Sequence, residues 1–382
     1  MPTTPRHPTL AIVGATGAVG REFLAVLEER RFPHGPVRLL ASPRSAGTVM
    51  TYRGEPHTVQ ALSPEAFEGI DLALFSAGGA ISKQYCPVAA AAGAVVIDNS
   101  SAFRMVEGVP LVVPEVNPGA LEGIRRSEHR PPKTAVGGTG GTIIANPNCS
   151  TIIMLLAVTP LRRAFGVERV IVSTYQAVSG AGAGGMRALI EETRAELEAM
   201  SRCSPAGQAS RLPAAGTAAP QFFPEPCAFN VFSHNTAVDP ETGRNVEEEK
   251  MIVETRKIWG DPGARISATC IRVPTLRAHA ESINVELSRP AAEEEVRGVL
   301  SRAPGVEVVD DRAGNRFPTP RKASGRDAAL VGRIRRDATA EETVEGGRRL
   351  SRGYDIFVCA DQLRKGAALN AVQIAELVFG IR

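Results

Sequence analysis

The chain has 382 residues, enough for two domains that each bury a hydrophobic core. Hydrophobic residues make up 43% of it and charged residues 22%, as in an ordinary globular protein. The formal net charge of +3 is near balance, so neither nucleic acid nor an anionic membrane is indicated as a partner. The six cysteines are scattered without close pairs, which argues against a disulfide framework and against a zinc or other metal site.

The N-terminal run Met1-Pro2-Thr3-Thr4-Pro5 lacks the charged-then-apolar pattern of a signal peptide. No apolar run is long enough to span a bilayer. We therefore expect the protein in the cytoplasm, with its thiols reduced.

The first motif is a glycine-rich turn between an apolar run and a helical pattern. Residues 9–13 are apolar and lead into Gly14-Ala15-Thr16-Gly17-Ala18-Val19-Gly20. A strand, such a turn and a helix form the first unit of a dinucleotide-binding fold, in which the glycines allow close approach of a pyrophosphate. The alternative is an ordinary tight turn from strand to helix.

The end of the second predicted strand, residues 37–41, indicates which dinucleotide binds. An NAD site usually has an acidic residue there for the ribose 2′-hydroxyl, whereas this chain has Ser42 and Arg44. A guanidinium matches a phosphate, so the sequence favours NADP. The alternative for Arg44 is a solvated loop arginine.

Apolar strands and helices continue to alternate through the first third of the chain. The pattern predicts strands at residues 71–75, 94–98 and 109–116, with an alanine-rich helix at 80–92. Such alternation predicts an α/β fold with a doubly wound, Rossmann-type sheet. Arg104 follows a strand's carboxyl end, where ligands gather in these sheets.

Two segments have loop composition and no periodicity, residues 118–142 and 203–221. We interpret the first as a surface insertion without catalytic duty, with His129 exposed on it.

The turn Asn146-Pro147-Asn148-Cys149-Ser150-Thr151 precedes an apolar run and predicts a helix that starts at or just after Cys149. A thiol there faces free backbone N–H groups and the positive end of the helix dipole, so we expect a depressed thiol pKa. The same N–H groups could hold an oxyanion. The alternative is a buried structural cysteine.

The second half predicts a strand at 170–176, a glycine-rich turn and a helix to about Met200. An amphipathic helix over 247–259 places Glu247 and Lys250 on one face, either as a ligand-binding edge or as a surface ion pair. Strand-like runs at 265–273 and 280–287 flank His279, which is either a functional histidine or a satisfied core residue. We expect the final helix, 366–380, to pack back on the first domain.

These motifs together resemble the aspartate-β-semialdehyde dehydrogenase family. The resemblance extends over nearly the whole chain in the right order, and its motifs are the glycine turn, Ala41-Ser42-Pro43-Arg44, Asn99-Ser100-Ser101-Ala102-Phe103-Arg104, Asn148-Cys149-Ser150, Gln176-Ala177-Val178-Ser179-Gly180, Glu247 with Lys250, Arg272-Val273-Pro274, His279 and Leu363-Arg364-Lys365-Gly366.

The resemblance implies NADPH-dependent reductive dephosphorylation of L-aspartyl-4-phosphate to L-aspartate-4-semialdehyde, a step toward lysine, diaminopimelate, threonine, methionine and isoleucine. It implies an NADP-binding domain at 1–149 plus about 355–382, an α+β catalytic and dimerisation domain at 150–354, and a homodimer or a dimer of dimers.

The resemblance also assigns roles to residues. Cys149 corresponds to the nucleophile that forms an acyl-thioester, His279 to the general acid/base and Gln176 to the residue that orients the substrate. Arg272 corresponds to the carboxylate ligand, Glu247 to the amino-group ligand, and Arg104 with Lys250, assisted by Asn148, to the phosphate site. The cofactor contacts are Gly14, Thr16, Gly17, Ala18, Val19, Ser42, Arg44, Ser179, Gly180 and Gln362.

Three alternative functions stay open. An N-acetyl-γ-glutamyl-phosphate reductase would favour a Pro-Gly-Cys-Tyr turn where this chain has Pro147-Asn148-Cys149-Ser150. A malonyl-CoA reductase on the same scaffold is a further option. A non-catalytic paralogue that binds a nucleotide or a partner should have lost Cys149 or His279, and both are present.

Overall fold

The computed structural model describes residues 7–124, 141–202 and 222–381, so His129 and the loop at 203–221 lie outside the described residues. The strands are β1 (Leu10–Val13), β2 (Val37–Ala41), β3 (Val49–Tyr52), β4 (Glu55–Thr58), β5 (Gln60–Ala61), β6 (Leu72–Phe75), β7 (Val95–Asp98), β8 (Thr142–Ala145), β9 (Val167–Gln176), β10 (Phe232–Ser233), β11 (Ile266–Arg272), β12 (His279–Ala292), β13 (Val306–Val308), β14 (Ala329–Arg336), β15 (Glu342–Glu345) and β16 (Arg348–Ala360). The helices are α1 (Ala18–Glu29), α2 (Gly79–Ala91), α3 (Cys149–Phe165), α4 (Gly182–Arg202), α5 (Val246–Trp259), α6 (Glu293–Ser301), α7 (Pro320–Ala323) and α8 (Leu369–Phe379).

The first sheet is parallel and has six strands in the order β5-β2-β1-β6-β7-β8. Successive residues of a strand point to opposite faces, and both faces of this sheet are buried. Leu10 and Ile12 pack in a cluster with α1 and α8, whereas Ala11 and Val13 pack on the other side with α2. The predicted doubly wound sheet is therefore confirmed.

The second sheet is mixed and has eight strands in the order β10-β11-β9-β12-β16-β14-β13, with β15 paired to β16. Strands β9 and β11 are parallel to each other, and β12 is antiparallel to both β9 and β16. One face of this sheet packs under α3, α5 and α6, because Val172, Ile283 and Ile356 share a buried cluster with apolar residues of those helices. The opposite face leaves Ile171 and Tyr175 exposed.

Helix α3 joins the two units. It begins directly after β8 of the first sheet and runs across β12 of the second. Nearly every side chain from Ser150 to Thr159 is buried. The fold therefore places the start of α3 where the two sheets meet.

Both sheets present the same kind of edge at that point. The carboxyl ends of the parallel strands β1, β6, β7 and β8 meet at one edge, the usual place of a ligand in such a sheet. In the second sheet the last residues of β9 and β11, Gln176 and Arg272, are direct neighbours, and His279 begins β12 beside them.

The final helix packs on the first sheet, as predicted, since Val372, Ile374 and Ala375 share a cluster with Leu10 and Ile12. A π-helical turn, Arg364–Ala368, precedes α8. Such turns occur often at functional sites. Lys365 within the turn is buried and donates to Glu115, Asn370 and Gln373.

The prediction of a strand at 109–116 is wrong. Only Leu111 forms an isolated bridge, to Ala145. Pro110 and Pro114 cannot donate backbone hydrogen bonds, and Asn117 curls the segment by accepting from Val113 N and donating to Leu111 O, both at 2.9 Å.

The interpretation of 118–142 as one surface loop is also wrong at both ends. Leu121 is buried against the core, and residues 142–145 form β8, the sixth strand of the sheet. Its sequence Thr142-Ile143-Ile144-Ala145 is short, and the glycines before it have turn composition.

Within the described residues, none of the helices combines the length and the apolar character needed to cross a membrane.

Glu281 is the one polar residue of β12 that points into the core and has no partner. Its side chain is fully buried, and neither carboxylate oxygen has a hydrogen-bond partner among the described residues. Burial raises the pKa of this carboxyl well above its usual value. The folded protein therefore binds a proton here that the unfolded chain releases near pH 4.3.

We predict that the Glu281→Gln variant becomes more stable relative to the wild type as the pH rises. The proton on Glu281 makes its full contribution to the free energy of unfolding below the pKa that Glu281 has in the unfolded chain. This contribution is lost as the pH rises toward the higher pKa that Glu281 has in the folded protein. In that window the free energy of unfolding of the wild type should fall relative to the variant by about 1.4 kcal/mol per pH unit. Urea unfolding from pH 5 to pH 8 measures the difference.

The matched control is Glu286→Gln on the same strand. Glu286 pairs with Arg169 at the surface and its side chain is 39% exposed, so its substitution should give no such slope. Parallel pH profiles for the wild type and Glu281→Gln would show that Glu281 is ionised at little cost in the fold.

Candidate active site

A cavity of about 600 Å³ lies where the two sheets meet. Its walls come from the glycine turn, the carboxyl ends of β6, β7 and β8, the start of α3, and the ends of β9 and β11. The predicted site residues that line it are Gly17, Ala18, Val19, Arg104, Asn148, Cys149, Gln176, Ser179, Gly180, Glu247, Lys250, Arg272 and Gln362. Thirteen positions predicted from seven separate stretches of sequence thus share one cavity.

Cys149 is the first residue of α3, as the turn sequence predicts. Asn148 is the N-cap, and its side-chain oxygen accepts from Ser150 N at 3.0 Å and Thr151 N at 3.2 Å. Its extended backbone fits the geometry of a cap. The sulfur is partly exposed to the cavity.

The prediction of a depressed thiol pKa is wrong. Burial and the nearby Glu247 carboxylate raise the pKa of Cys149 to about 12. Arg104, Arg272 and the backbone N–H of Ser150 act in the opposite direction and are outweighed. The sequence locates the helix start but neither the burial of the thiol, which is the largest cause of the raised pKa, nor the closeness of Glu247 to it, and this is the physical reason for the error.

His279 is fully buried and its Nε2 lies 3.4 Å from Cys149 Sγ. Its other ring nitrogen, Nδ1, accepts from the backbone N–H of Ala177 at 3.0 Å. An acceptor at Nδ1 places the proton of the neutral ring on Nε2, facing the sulfur. Burial and Arg272 lower the pKa of His279 to about 3, so the ring is neutral at physiological pH.

Gln176 and Arg272 line the cavity side by side, at the ends of two neighbouring strands. Arg272 donates to Ala177 O at 2.6 Å, to His234 Nε2 at 2.7 Å and to Asn235 Oδ1 at 2.5 Å. Its Nε–H is buried without a partner among the described residues. A buried guanidinium with an unpaired donor is suited to a ligand carboxylate.

Glu247 and Lys250 form an ion pair, with Nζ 3.1 Å from Oε2, but at the cavity rather than on the outer surface. Glu247 also accepts from Asn148 Nδ2 at 2.5 Å. Burial opposes ionisation of Glu247, yet Lys250 and His234 outweigh it and lower its pKa to about 2. Glu247 is therefore a carboxylate that can meet a cationic group.

Arg104 also lines the cavity, and three acceptors hold its guanidinium. It donates from Nε to Asn146 O at 2.9 Å, from Nη1 to Glu254 Oε1 at 2.9 Å and from Nη2 to Asn99 O at 2.8 Å. Arg104 and Lys250 thus supply two cations to one side of the cavity.

The glycine turn fits a dinucleotide. Gly14 has φ of +84°, and a Cβ there would lie 2.3 Å from Ser76 O. A Cβ on Gly20 would lie 2.2 Å from Gly14 O. Helix α1 starts beside the cavity with no side-chain cap and no acidic residue in its first turn, so its N–H groups are available to a pyrophosphate.

The predicted cofactor residues fall into two groups. Gln362 donates to Ser179 Oγ and accepts from Ala278 N at 2.8 Å, so it ties the cofactor side of the cavity to the strand that carries His279. Gly14 and Thr16 shape the turn, whereas Ser42 and Arg44 are exposed beyond the cavity, past the end of β2. Those last two lie on the same sheet edge as the glycine turn.

Sequence reasoning missed four residues of the site: His234, Glu254, Asn99 and Gly366. A Cβ on Gly366 would lie 2.8 Å from Cys149 Cβ, so only glycine fits there. Glu254 had a detectable signal, because positions 247, 250 and 254 lie on one face of a helix. His234 had no such signal beyond its residue type.

Among the described residues, no group of three or more His, Cys, Asp or Glu side chains is arranged to hold a metal ion.

Two family models of known proteins match the chain. Residues 9–124 match the family model of the semialdehyde dehydrogenase NAD binding domain, and residues 158–365 match that of the semialdehyde dehydrogenase dimerisation domain.

Two relatives that match over nearly their full length are aspartate-semialdehyde dehydrogenases. The chain is 48% identical to aspartate-semialdehyde dehydrogenase of Aquifex aeolicus (strain VF5) over 97% of both chains. It is 45% identical to the enzyme of the same name from Synechocystis sp., over 97% of this chain and 96% of the relative.

A solved structure shows the same architecture. Aspartate semialdehyde dehydrogenase II of Vibrio cholerae, complexed with ASA, superimposes with a TM-score of 0.81 at 41% identity over 98% of each chain. The chain belongs to the aspartate-semialdehyde dehydrogenase family.

Proposed function

We propose that this protein reduces L-aspartyl-4-phosphate to L-aspartate-4-semialdehyde with NADPH and releases phosphate. The observation that carries the proposal is the contact of 3.4 Å between Cys149 Sγ and His279 Nε2. Around this contact the same cavity holds Arg272, Glu247, Arg104 and Lys250, and the Vibrio cholerae relative was solved with ASA.

The charges of the cavity match the substrate group by group. Arg272 serves the α-carboxylate, because it is buried with a free Nε–H. Glu247 serves the α-amino group, since its low pKa keeps it ionised. Arg104 and Lys250, assisted by Asn148, serve the phosphate. Gln176, which is 1% exposed at the end of β9, orients the acyl group between them.

In the first chemical step Cys149 Sγ attacks the acyl carbon of the substrate. A carbon–sulfur bond forms, the carbon–oxygen bond to phosphate breaks, and the thiol proton leaves with the phosphate. A thioester on Cys149 results, and sulfur suits this step because it is a soft nucleophile. NADPH supplies, when bound, the hydride that reduces the thioester carbon.

His279 stabilises the oxygen of that carbon. The Ala177 N–H fixes Nδ1 as an acceptor, so the Nε2–H is the group that can donate to an oxyanion. The carbon–sulfur bond then breaks as the carbonyl reforms, and the aldehyde leaves. Cys149 takes the proton of His279 Nε2, 3.4 Å away, and His279 regains a proton from solvent, so His279 is the general acid of this step. The high pKa of Cys149 keeps the sulfur protonated between turnovers.

NADP is the cofactor that the residues favour. Arg44 is exposed at the end of β2 and makes no hydrogen bond or ion pair with the described residues, so its guanidinium is available to a 2′-phosphate. Gly14, Thr16, Gly17, Ala18 and Val19 form the pyrophosphate turn, and Ser42, Ser179, Gly180 and Gln362 complete the cofactor contacts.

The domains and assembly follow from the same proposal. Residues 1–149 with about 355–382 bind NADP, and residues 150–354 carry catalysis and dimerisation. The chain matches a dimerisation domain. We infer a homodimer, or a dimer of dimers, that covers the exposed Ile171 and Tyr175 of the second sheet.

A nucleophilic thiol must stay reduced, which favours the cytoplasm. The amino-acid pathway is the one that the resemblance implies, toward lysine, threonine, methionine and isoleucine.

The activity is tested in the reverse direction with three aldehydes. The wild type should reduce NADP in steady-state turnover with aspartate semialdehyde only when phosphate is present, and should turn over N-acetylglutamate semialdehyde or malonate semialdehyde poorly. Cys149→Ala should abolish turnover, because no thioester can form, while NADP binding measured by calorimetry stays within a factor of about two.

Preference for N-acetylglutamate semialdehyde would contradict the substrate assignment. Turnover retained by Cys149→Ala would contradict the thioester.

Substitution of Arg44 tests the cofactor. Arg44→Ala should weaken the binding of NADPH by roughly 10- to 100-fold, which corresponds to the loss of one charge-assisted hydrogen bond. It should leave the binding of NADH almost unchanged. The KM of each cofactor with the same substrate gives the comparison. An equal rise for both would show that Arg44 does not contact the 2′-phosphate.

A further inference from the structure

Glu254 connects the phosphate side of the cavity to the turn that carries the nucleophile. Its side chain lies on α5, is 1% exposed, and does not line the cavity. One carboxylate oxygen accepts from Arg104 Nη1 at 2.9 Å, and the other accepts from the backbone N–H of Asn148 at 2.6 Å. A single buried carboxylate thus holds two elements that come from the ends of β7 and β8.

The hydrogen bonds of Arg104 define what its guanidinium can still bind. A guanidinium has five N–H donors, one on Nε and two on each η nitrogen. The bonds to Asn146 O, Glu254 and Asn99 O use one donor of each nitrogen. One N–H on each η nitrogen is left without a partner among the described residues, and Arg104 lines the cavity.

We propose that Glu254 is a positioning residue that orients Arg104, so that these two N–H groups face the phosphate of the substrate. The inference rests on the proposed function and adds to it a residue that does not touch the ligand. Of the three acceptors of Arg104, Glu254 is the only charged one; the other two are backbone carbonyls. Charge-assisted bonds are the stronger and geometrically stricter kind.

Two possible roles of Glu254, orienting Arg104 and neutralising its charge, make opposite predictions for the Glu254→Gln variant. If the carboxylate acts only by cancelling the charge of Arg104, its removal should tighten phosphate binding. If it acts by orientation, the glutamine should keep its oxygen on the rigid Asn148 N–H, turn its NH₂ toward Arg104 Nη1, and displace the guanidinium. Phosphate binding should then weaken.

The test uses the full-length protein in the phosphorylating direction, with aspartate semialdehyde, NADP and inorganic phosphate. We expect Glu254→Gln to raise the KM for phosphate about tenfold and to change the KM for aspartate semialdehyde and for NADP less than twofold. An unchanged or lower KM for phosphate would overturn the positioning role.

A double-mutant cycle shows through which residue Glu254 acts. In an Arg104→Ala background, Glu254→Gln should change the KM for phosphate less than twofold, because the guanidinium that it orients is absent. An equal loss in both backgrounds would overturn the inference, since Glu254 would then act elsewhere.

The matched control is Glu376→Gln. Glu376 is also a buried carboxylate paired with an arginine, Arg30, at 2.6 Å, but it lies outside the cavity. This control should keep the KM for phosphate of the wild type even if it lowers stability. Should Glu254→Gln fail to fold, Glu254→Asp keeps the charge and shortens the reach, and its KM for phosphate should also rise. A wild type without phosphate-dependent activity would refute the proposed function itself, whereas an active wild type with an insensitive Glu254→Gln refutes only the inference.

Discussion

The capping of helix α3 by Asn148 is the constraint on which the site depends. Its side-chain oxygen satisfies two N–H groups of the helix start, its amide group donates to Glu247, and its backbone N–H donates to Glu254. A cap of this kind contributes about 1 kcal/mol to a helix. Here it also fixes the position of Cys149 relative to two carboxylates, so helix formation and assembly of the site are one event.

The cavity balances its charges in pairs, and this explains the state of the thiol. Lys250 pairs with Glu247 and Arg104 pairs with Glu254, so Arg272 is the one cation of these three that is left without a carboxylate partner to stabilise a thiolate. Burial of the thiol is the largest effect, and it raises the pKa of Cys149. A substrate that brings a carboxylate, an ammonium and a phosphate changes each of these pairings. The site is thus arranged for a ligand with three charged groups and is a poor environment for a free thiolate.

Much of this site could be predicted from sequence, because its residues lie in local signals. The glycine turn and the Asn148–Cys149 helix start follow from local backbone chemistry, and the face of α5 follows from helical spacing. Strand β8 could not be predicted, since four residues after a glycine-rich run carry too little pattern. Glu254 and His234 act through contacts with distant parts of the chain. The thiol pKa depends on such contacts, so the local argument gave the wrong sign.

The central claim is that Cys149 carries the acyl group between the two chemical steps. The most direct measurement mixes the wild type with NADP and aspartate semialdehyde without phosphate, follows NADPH in the first turnover, and weighs the quenched protein. The account predicts a burst of about one NADPH per site and one aspartyl group on the peptide that contains Cys149, both of which phosphate removes. A burst without that adduct, or an adduct on another residue, would contradict it.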